Sequence, residues 1–112
     1  MRVRSKKKSF ESQALNQNLL PDDFVIVCDE KGKALSTVNF AGQLEKVLDS
    51  GKKRVVFVIG GAYGLESNVL ERANLKLSLS PFTVTHHLAL AICFEQTYRA
   101  MTILRGVPYH NA

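Results

Sequence analysis

Three groups of residues in this sequence have types and spacings that could do chemistry. The first is Gly60-Gly61-Ala62-Tyr63-Gly64, which follows directly on the apolar run Arg54-Val55-Val56-Phe57-Val58-Ile59. Glycine tolerates positive φ and lets backbone approach a ligand closely. A loop that leaves the carboxyl end of a buried strand also lies where open α/β sheets bind ligands. The spacing is not G-x-G-x-x-G and no G-K-[ST] follows, which argues against dinucleotide and P-loop chemistry. A glycine turn without a ligand fits the same residues. The second group is Leu79-Ser80-Pro81-Phe82-Thr83-Val84, made irregular by Pro81. It offers backbone donors and acceptors beside apolar side chains, a combination that suits an adenine ring, although an ordinary strand-to-helix connection reads the same way. The third group is His86, His87 and His110. Adjacent histidines do not face each other, so no metal site is expected. No Ser or Cys occupies an elbow-like turn with a histidine nearby, which disfavours covalent hydrolytic chemistry.

These groups need elements to position them. Phe24-Val25-Ile26-Val27-Cys28 and residues 54–59 are near-continuous, β-branched runs of the kind buried on both faces of a parallel sheet. Leu75-Lys76-Leu77-Ser78-Leu79-Ser80 alternates, which predicts a third strand buried on one side and broken by Pro81. Asp29-Glu30-Lys31-Gly32-Lys33 reads as a polar loop. Thr37 is the expected N-cap of a helix over residues 38–49, with Phe40, Ala41, Leu44, Val47 and Leu48 inward and Ser50-Gly51 closing it. A short helix is expected over residues 67–74. The last element, residues 85–105, is helical by length and content, with Glu95 and Arg99 as an i,i+4 pair. Its first half is apolar all round, which points to burial between two layers or against another subunit. Residues 6–20 predict a further helix, stopped by Pro21. Strands alternating with helices give an α/β domain on a mainly parallel sheet. Three strands make that sheet thin, so either a partner subunit or a missing strand is expected.

The length of 112 residues suits one domain, and an apolar fraction of 46% is too high for a disordered chain. The longest apolar run, residues 88–94, falls far short of the roughly 20 residues that span a membrane. No leader-like segment is visible, and a cytoplasmic protein is expected. Cys28 and Cys93 lie in apolar segments and read as reduced core residues, a disulfide being less favoured. The net charge of +5 comes from Arg2, Arg4, Lys6, Lys7 and Lys8, since ten basic residues balance ten acidic ones over residues 9–112. The expected organisation is a basic arm and helix over residues 1–22 and a neutral domain over residues 23–112. Such an arm could contact RNA phosphates or simply keep the chain soluble.

Several separated segments fall in the order and spacing of one known group. They are Val58-Ile59-Gly60-Gly61-Ala62-Tyr63-Gly64, Ser78-Leu79-Ser80, His86, Glu95-Gln96-Thr97-Tyr98-Arg99-Ala100 and Arg105-Gly106-Val107-Pro108-Tyr109-His110. From about Phe24 to His110 the chain resembles the RlmH group of SPOUT-class methyltransferases. The resemblance implies a parallel-sheet SPOUT fold with a deep trefoil knot in the C-terminal half, working as a homodimer. It also implies S-adenosylmethionine-dependent methylation of a pseudouridine at ring N3 in large-subunit ribosomal RNA, free or in the assembled ribosome. By position, Cys28, Gly60, Leu79, Ser80, Pro81, Phe82, Thr83 and Val84 would line the cofactor pocket. His86, Tyr109 and His110 would be the candidates for handling the ring-nitrogen proton or the developing anion. Glu95 and Arg99 read as a structural pair. Ala62 stands where the group favours proline, and Leu90 where a basic residue is expected. The group's first strand and helix have only the arm and residues 6–20 in their place, which implies a shortened or diverged chain. The alternative function is therefore a non-catalytic homologue that binds S-adenosylmethionine or RNA without turnover. A nucleotide-binding oxidoreductase-like domain is supported by the strand-glycine-helix arrangement alone.

Overall fold

The β-branched runs form the centre of a parallel sheet. The computed structural model describes residues 2–6, 19–60 and 67–111. Among them, strands β1 (Arg2–Lys6), β2 (Asp23–Ala34), β3 (Arg54–Gly60) and β4 (Leu75–Ser78) pair in parallel in the order β1-β3-β2-β4. Three helices accompany them: α1 (Thr37–Asp49), α2 (Ser67–Arg72) and α3 (His86–Leu104). Side chains alternate across a strand, so β2 and β3 feed two cores. Ile26, Phe57 and Ile59 pack with Phe40, Ala41 and Leu44 of α1 and with Ala89, Cys93 and Ala100 of α3. Val25, Val27, Val56 and Val58 form the opposite cluster with Val69 of α2.

The structure corrects the sequence reading at four points. Arg2–Lys6 is not an arm but a fourth strand, in register with β3 from Arg2 opposite Val56 to Lys6 opposite Gly60. Strand pairing uses backbone groups alone, and charge-rich strands are favoured at sheet edges, where they discourage pairing with other chains. Ser36, not Thr37, caps α1, its Oγ accepting from the Asn39 amide at 3.1 Å. Leu48 is exposed rather than inward. The expected polar loop at residues 29–33 is taken up into β2: Cys28 and Lys33 both register with Leu77, so the residues between them bulge out. Gly32 makes that bulge possible, because a Cβ there would stand 2.7 Å from the backbone C and O of Lys76. On α3, Leu88, Phe94 and Tyr98 are each about half exposed. Most of the expected N-terminal helix and residues 61–66 of the glycine loop lie outside the described residues.

Polar contacts lock the amino ends of the central strands. Asp23, 1% exposed, receives Arg54 Nε at 2.8 Å on Oδ1 and Arg54 Nη2 at 2.5 Å on Oδ2, joining the first register pair of β2 and β3. The Leu20 amide donates to the same carboxylate at 2.8 Å. Arg72 Nη2 donates to the carbonyls of Leu20 and Asp23, and Asn74 exchanges hydrogen bonds with Val25 through its side-chain carbonyl and backbone amide. The Arg54 guanidinium holds the Asp23 carboxyl below the usual carboxylate range, helped by the Leu20 amide and Arg72 against the opposing effect of burial.

Candidate active site

The carboxyl ends of the strands carry a cavity of about 280 Å³. Three stretches of chain supply most of its wall. The junction of β2 and α1 contributes Leu35, Ser36 and Thr37, the end of β4 contributes Leu77, Ser78 and Leu79, and α3 contributes Ile92, Cys93 and Gln96. Phe40 of α1 and Phe57 of β3 close the apolar side. A hydrogen bond from Thr37 Oγ1 to Gln96 Oε1, 2.6 Å long, ties the β2 exit to α3. The mixture of aliphatic and aromatic cover with hydroxyl and amide groups is that of a small-molecule site, and its volume is near the lower end of the roughly 300–1,000 Å³ range for such sites.

Of the residues assigned by sequence to a cofactor pocket, Leu79 lines this cavity. Cys28 stands beside it, with Sγ 3.6 Å from the Sγ of Cys93. Gly60 ends β3 and is the register partner of Lys6. Ser80 and Val84 are half-buried in the loop that continues from Leu79, whereas Pro81, Phe82 and Thr83 are exposed. That loop is pinned locally: Ser78 Oγ donates to the Ser80 carbonyl at 3.4 Å, and the Phe82 amide donates to Ser80 Oγ at 2.9 Å. Thr85 then caps α3 by accepting from the Leu88 amide. Sequence reasoning missed Leu35, Ser36, Thr37 and Gln96. The signal for the first three was present, since residues just beyond the carboxyl end of a central strand are where α/β sheets hold ligands.

The three candidate catalytic residues divide between two places. His86 is exposed at the start of α3, its ring stacked on His87 with centroids 4.3 Å apart. Tyr109 and His110 fold back from the end of α3 onto its C-terminal half. Tyr109 meets Tyr98 edge-on at 4.8 Å, the Arg99 guanidinium sits 4.9 Å from the Tyr109 ring, and Arg99 Nη1 lies 3.2 Å from His110 Nδ1. Glu95 Oε1 accepts from Arg99 Nε at 2.6 Å, the expected i,i+4 pair, and its carboxylate raises the Arg99 pKa further. Glu95 Oε2 is buried and without a hydrogen-bond partner. The spacing between His86 and the tail is about 18 Å along α3 at ~1.5 Å rise per residue, so one chain does not bring these groups onto one reacting atom. A guanidinium has donors only, so His110 Nδ1 must accept and the neutral ring carries its proton on Nε2.

Comparison with known proteins gives a consistent result. The family model described as predicted SPOUT methyltransferase matches residues 2–110. A protein of Bdellovibrio bacteriovorus named ribosomal RNA large subunit methyltransferase H is 44% identical over 105 residues, covering 94% of this chain and 67% of the relative. Proteins of the same name from Bacteroides fragilis and Lawsonia intracellularis are 44% and 45% identical, over 94% and 96% of this chain and 67% and 68% of their own lengths. The chain thus spans about two thirds of the length of these relatives.

Proposed function

From a chain that belongs to the SPOUT methyltransferase family, we propose the following function: transfer of a methyl group from S-adenosylmethionine to ring N3 of a pseudouridine in large-subunit ribosomal RNA, in the cytoplasm. The observation that supports this most is the match over residues 2–110, which takes in the cavity wall, α3 and the tail together. The cavity residues fit the donor: Phe57, Leu77 and Leu79 offer an apolar wall to an adenine ring, and Ser36, Thr37, Ser78 and Gln96 offer polar contacts. Cys28, Gly60 and residues 80–84 extend that assignment around the same end of the sheet. When bound, S-adenosylmethionine supplies a methyl group on a sulfonium that is already activated for displacement.

The protein's task is then to orient the acceptor ring, exclude water and manage one proton. His110, with Nδ1 taken by Arg99, presents Nε2–H and suits stabilising the negative charge that grows on an imide-type ring as its proton leaves. Tyr109, held by Arg99 and Tyr98, and His86 are the groups for the proton itself. His86 and the tail can share one substrate if a second copy lays its tail near the start of the first copy's α3. The half-exposed Phe94, Tyr98 and Val107 of that helix and tail border an apolar hollow of about 470 Å³ that suits such a partner. The same reading includes a deep trefoil knot in the C-terminal half; an experimental chain trace without threading would overturn that part.

The decisive experiment supplies labelled S-adenosylmethionine and ribosomes, or ribosomal RNA, that lack the modification. Label in 3-methylpseudouridine is the expected result. Donor binding by calorimetry without any transfer would favour the non-catalytic alternative, and sedimentation as a monomer would remove the shared site.

A further inference from the structure

We propose that Cys28 and Cys93 are a modification site at which hydrogen peroxide forms an intramolecular disulfide, tying the carboxyl end of β2 to α3. The two residues are 65 positions apart in sequence, yet their Sγ atoms lie 3.6 Å from each other and both are free thiols. A disulfide has its sulfurs about 2.05 Å apart, so closure requires an approach of roughly 1.5 Å. Cys93 is 1% exposed but forms part of the wall of the 280 Å³ cavity, a route for a reagent barely larger than water. Cys28 is half-buried directly beside it.

The order of events follows from which thiol the cavity reaches: Cys93 lines it, whereas Cys28 stands beside it. The S–H of Cys28 can donate to the Cys93 sulfur, which lowers the Cys93 pKa, whereas the same contact and burial push Cys28 upward. Cys93, which peroxide reaches through the cavity, is the attacking sulfur and Cys28 the resolving one. The Cys93 thiolate attacks one peroxide oxygen, the O–O bond breaks, and the departing hydroxide takes a proton to become water, leaving Cys93 as a sulfenic acid. The Cys28 sulfur then attacks the Cys93 sulfur, the S–O bond breaks, and hydroxide leaves with the Cys28 proton as a second water. Two thiols and one peroxide become one disulfide and two waters: the sulfurs lose two electrons and the peroxide gains them. No cofactor takes part, so the proposal does not depend on the methyl-transfer reading.

The test treats the whole folded chain with hydrogen peroxide and follows it by intact mass and by non-reducing peptide mapping. The expected result is a loss of about 2 Da per chain, one cross-linked peptide joining Cys28 to Cys93, and recovery of both thiols with dithiothreitol. An equal mixture of ¹⁴N- and ¹⁵N-labelled protein should give cross-links within one isotope only. In Cys28→Ser, dimedone should trap Cys93 sulfenic acid that the wild-type chain does not accumulate. Absence of the cross-link, cross-links that mix the isotopes, or equal dimedone trapping in the wild type would each overturn the proposal.

Discussion

The two ends of the sheet are built differently. At the amino ends of β2 and β3, almost every polar group in view is engaged: Asp23 with Arg54 and Leu20, Arg72 with two carbonyls, Asn74 with Val25. At the carboxyl ends the chain instead leaves a bulge, an open cavity, a loop with Phe82 80% exposed and a helix with apolar side chains facing outward. Polar groups satisfied by one another lock a structure, whereas a site for ligands needs unfilled space and side chains that await a partner. The contrast teaches that this fold separates its locked polar contacts from its open cavity along the strand axis.

Removing the lock should have the largest effect. Asp23→Ala takes the carboxylate from Arg54 and from the Leu20 amide in a buried setting, and an unfolding cost of about 3 kcal/mol is expected by urea titration. The same carboxylate makes a pH signature. Its folded pKa lies below the unfolded value of about 3.9, so its contribution is present above that value and is lost as pH falls through the folded one. Wild-type stability should drop more steeply than that of Asp23→Asn as pH falls below about 4; parallel curves would break the assignment of the lock.

Gly32→Ala probes the seam between the two regions. The new methyl would meet the backbone of Lys76 at 2.7 Å, and backbone does not rotate away. A cost of about 2 kcal/mol is expected, with loss of amide protection concentrated in β4. An unchanged melting curve would mean that the bulge is looser than its geometry.

How far the sequence foretold this contrast depends on the kind of signal. The buried strands were legible because Val25–Val27 and Val56–Ile59 are apolar on both faces, a pattern that only a doubly covered strand satisfies. Helix α3 was legible in extent, down to Thr85 before it and Arg105 after it, but its burial was not, since hydrophobicity does not say whether the cover comes from the same chain. The edge strand was hidden because Arg2–Lys6 carries its structural information in backbone pairing, while its side chains advertise only charge. The Asp23 lock and the Thr37–Gln96 bond were hidden for a related reason: they join residues 31 and 59 positions apart, and spacing motifs capture local pairs such as Glu95–Arg99. Leu79 and Cys28 were grouped around one ligand by family likeness; in the fold Leu79 lines the cavity and Cys28 Sγ lies 3.6 Å from that of Cys93 in its wall.

Leu79→Ala tests the opposite end. Leu79 contributes to the cavity wall and packs only at the margin of the core, so binding should suffer more than folding. Calorimetry with S-adenosylmethionine is expected to show roughly tenfold weaker affinity, equivalent to about 1.4 kcal/mol. A larger loss in folding stability than in affinity would erase the separation between the locked and the open ends.

The smallest expected change, and the sharpest in what it discriminates, concerns Arg99→Ala. Arg99 touches three groups at once: Glu95, the Tyr109 ring and His110 Nδ1. If it were only a surface ion pair, its loss would pass unnoticed, as exposed pairs usually contribute little. If it orients the tail, turnover should fall severalfold while donor affinity stays unchanged, because Arg99 is not among the side chains that line the cavity. The imidazole offers a second readout. With Arg99 donating to Nδ1, the neutral ring of His110 is confined to the Nε2–H form, and without it the Nδ1–H form becomes accessible. Nitrogen-15 shifts of His110 should therefore report one tautomer in the wild type and a mixture in the variant. Identical ring spectra would show that the tail is held by Tyr98 and Tyr109 packing alone.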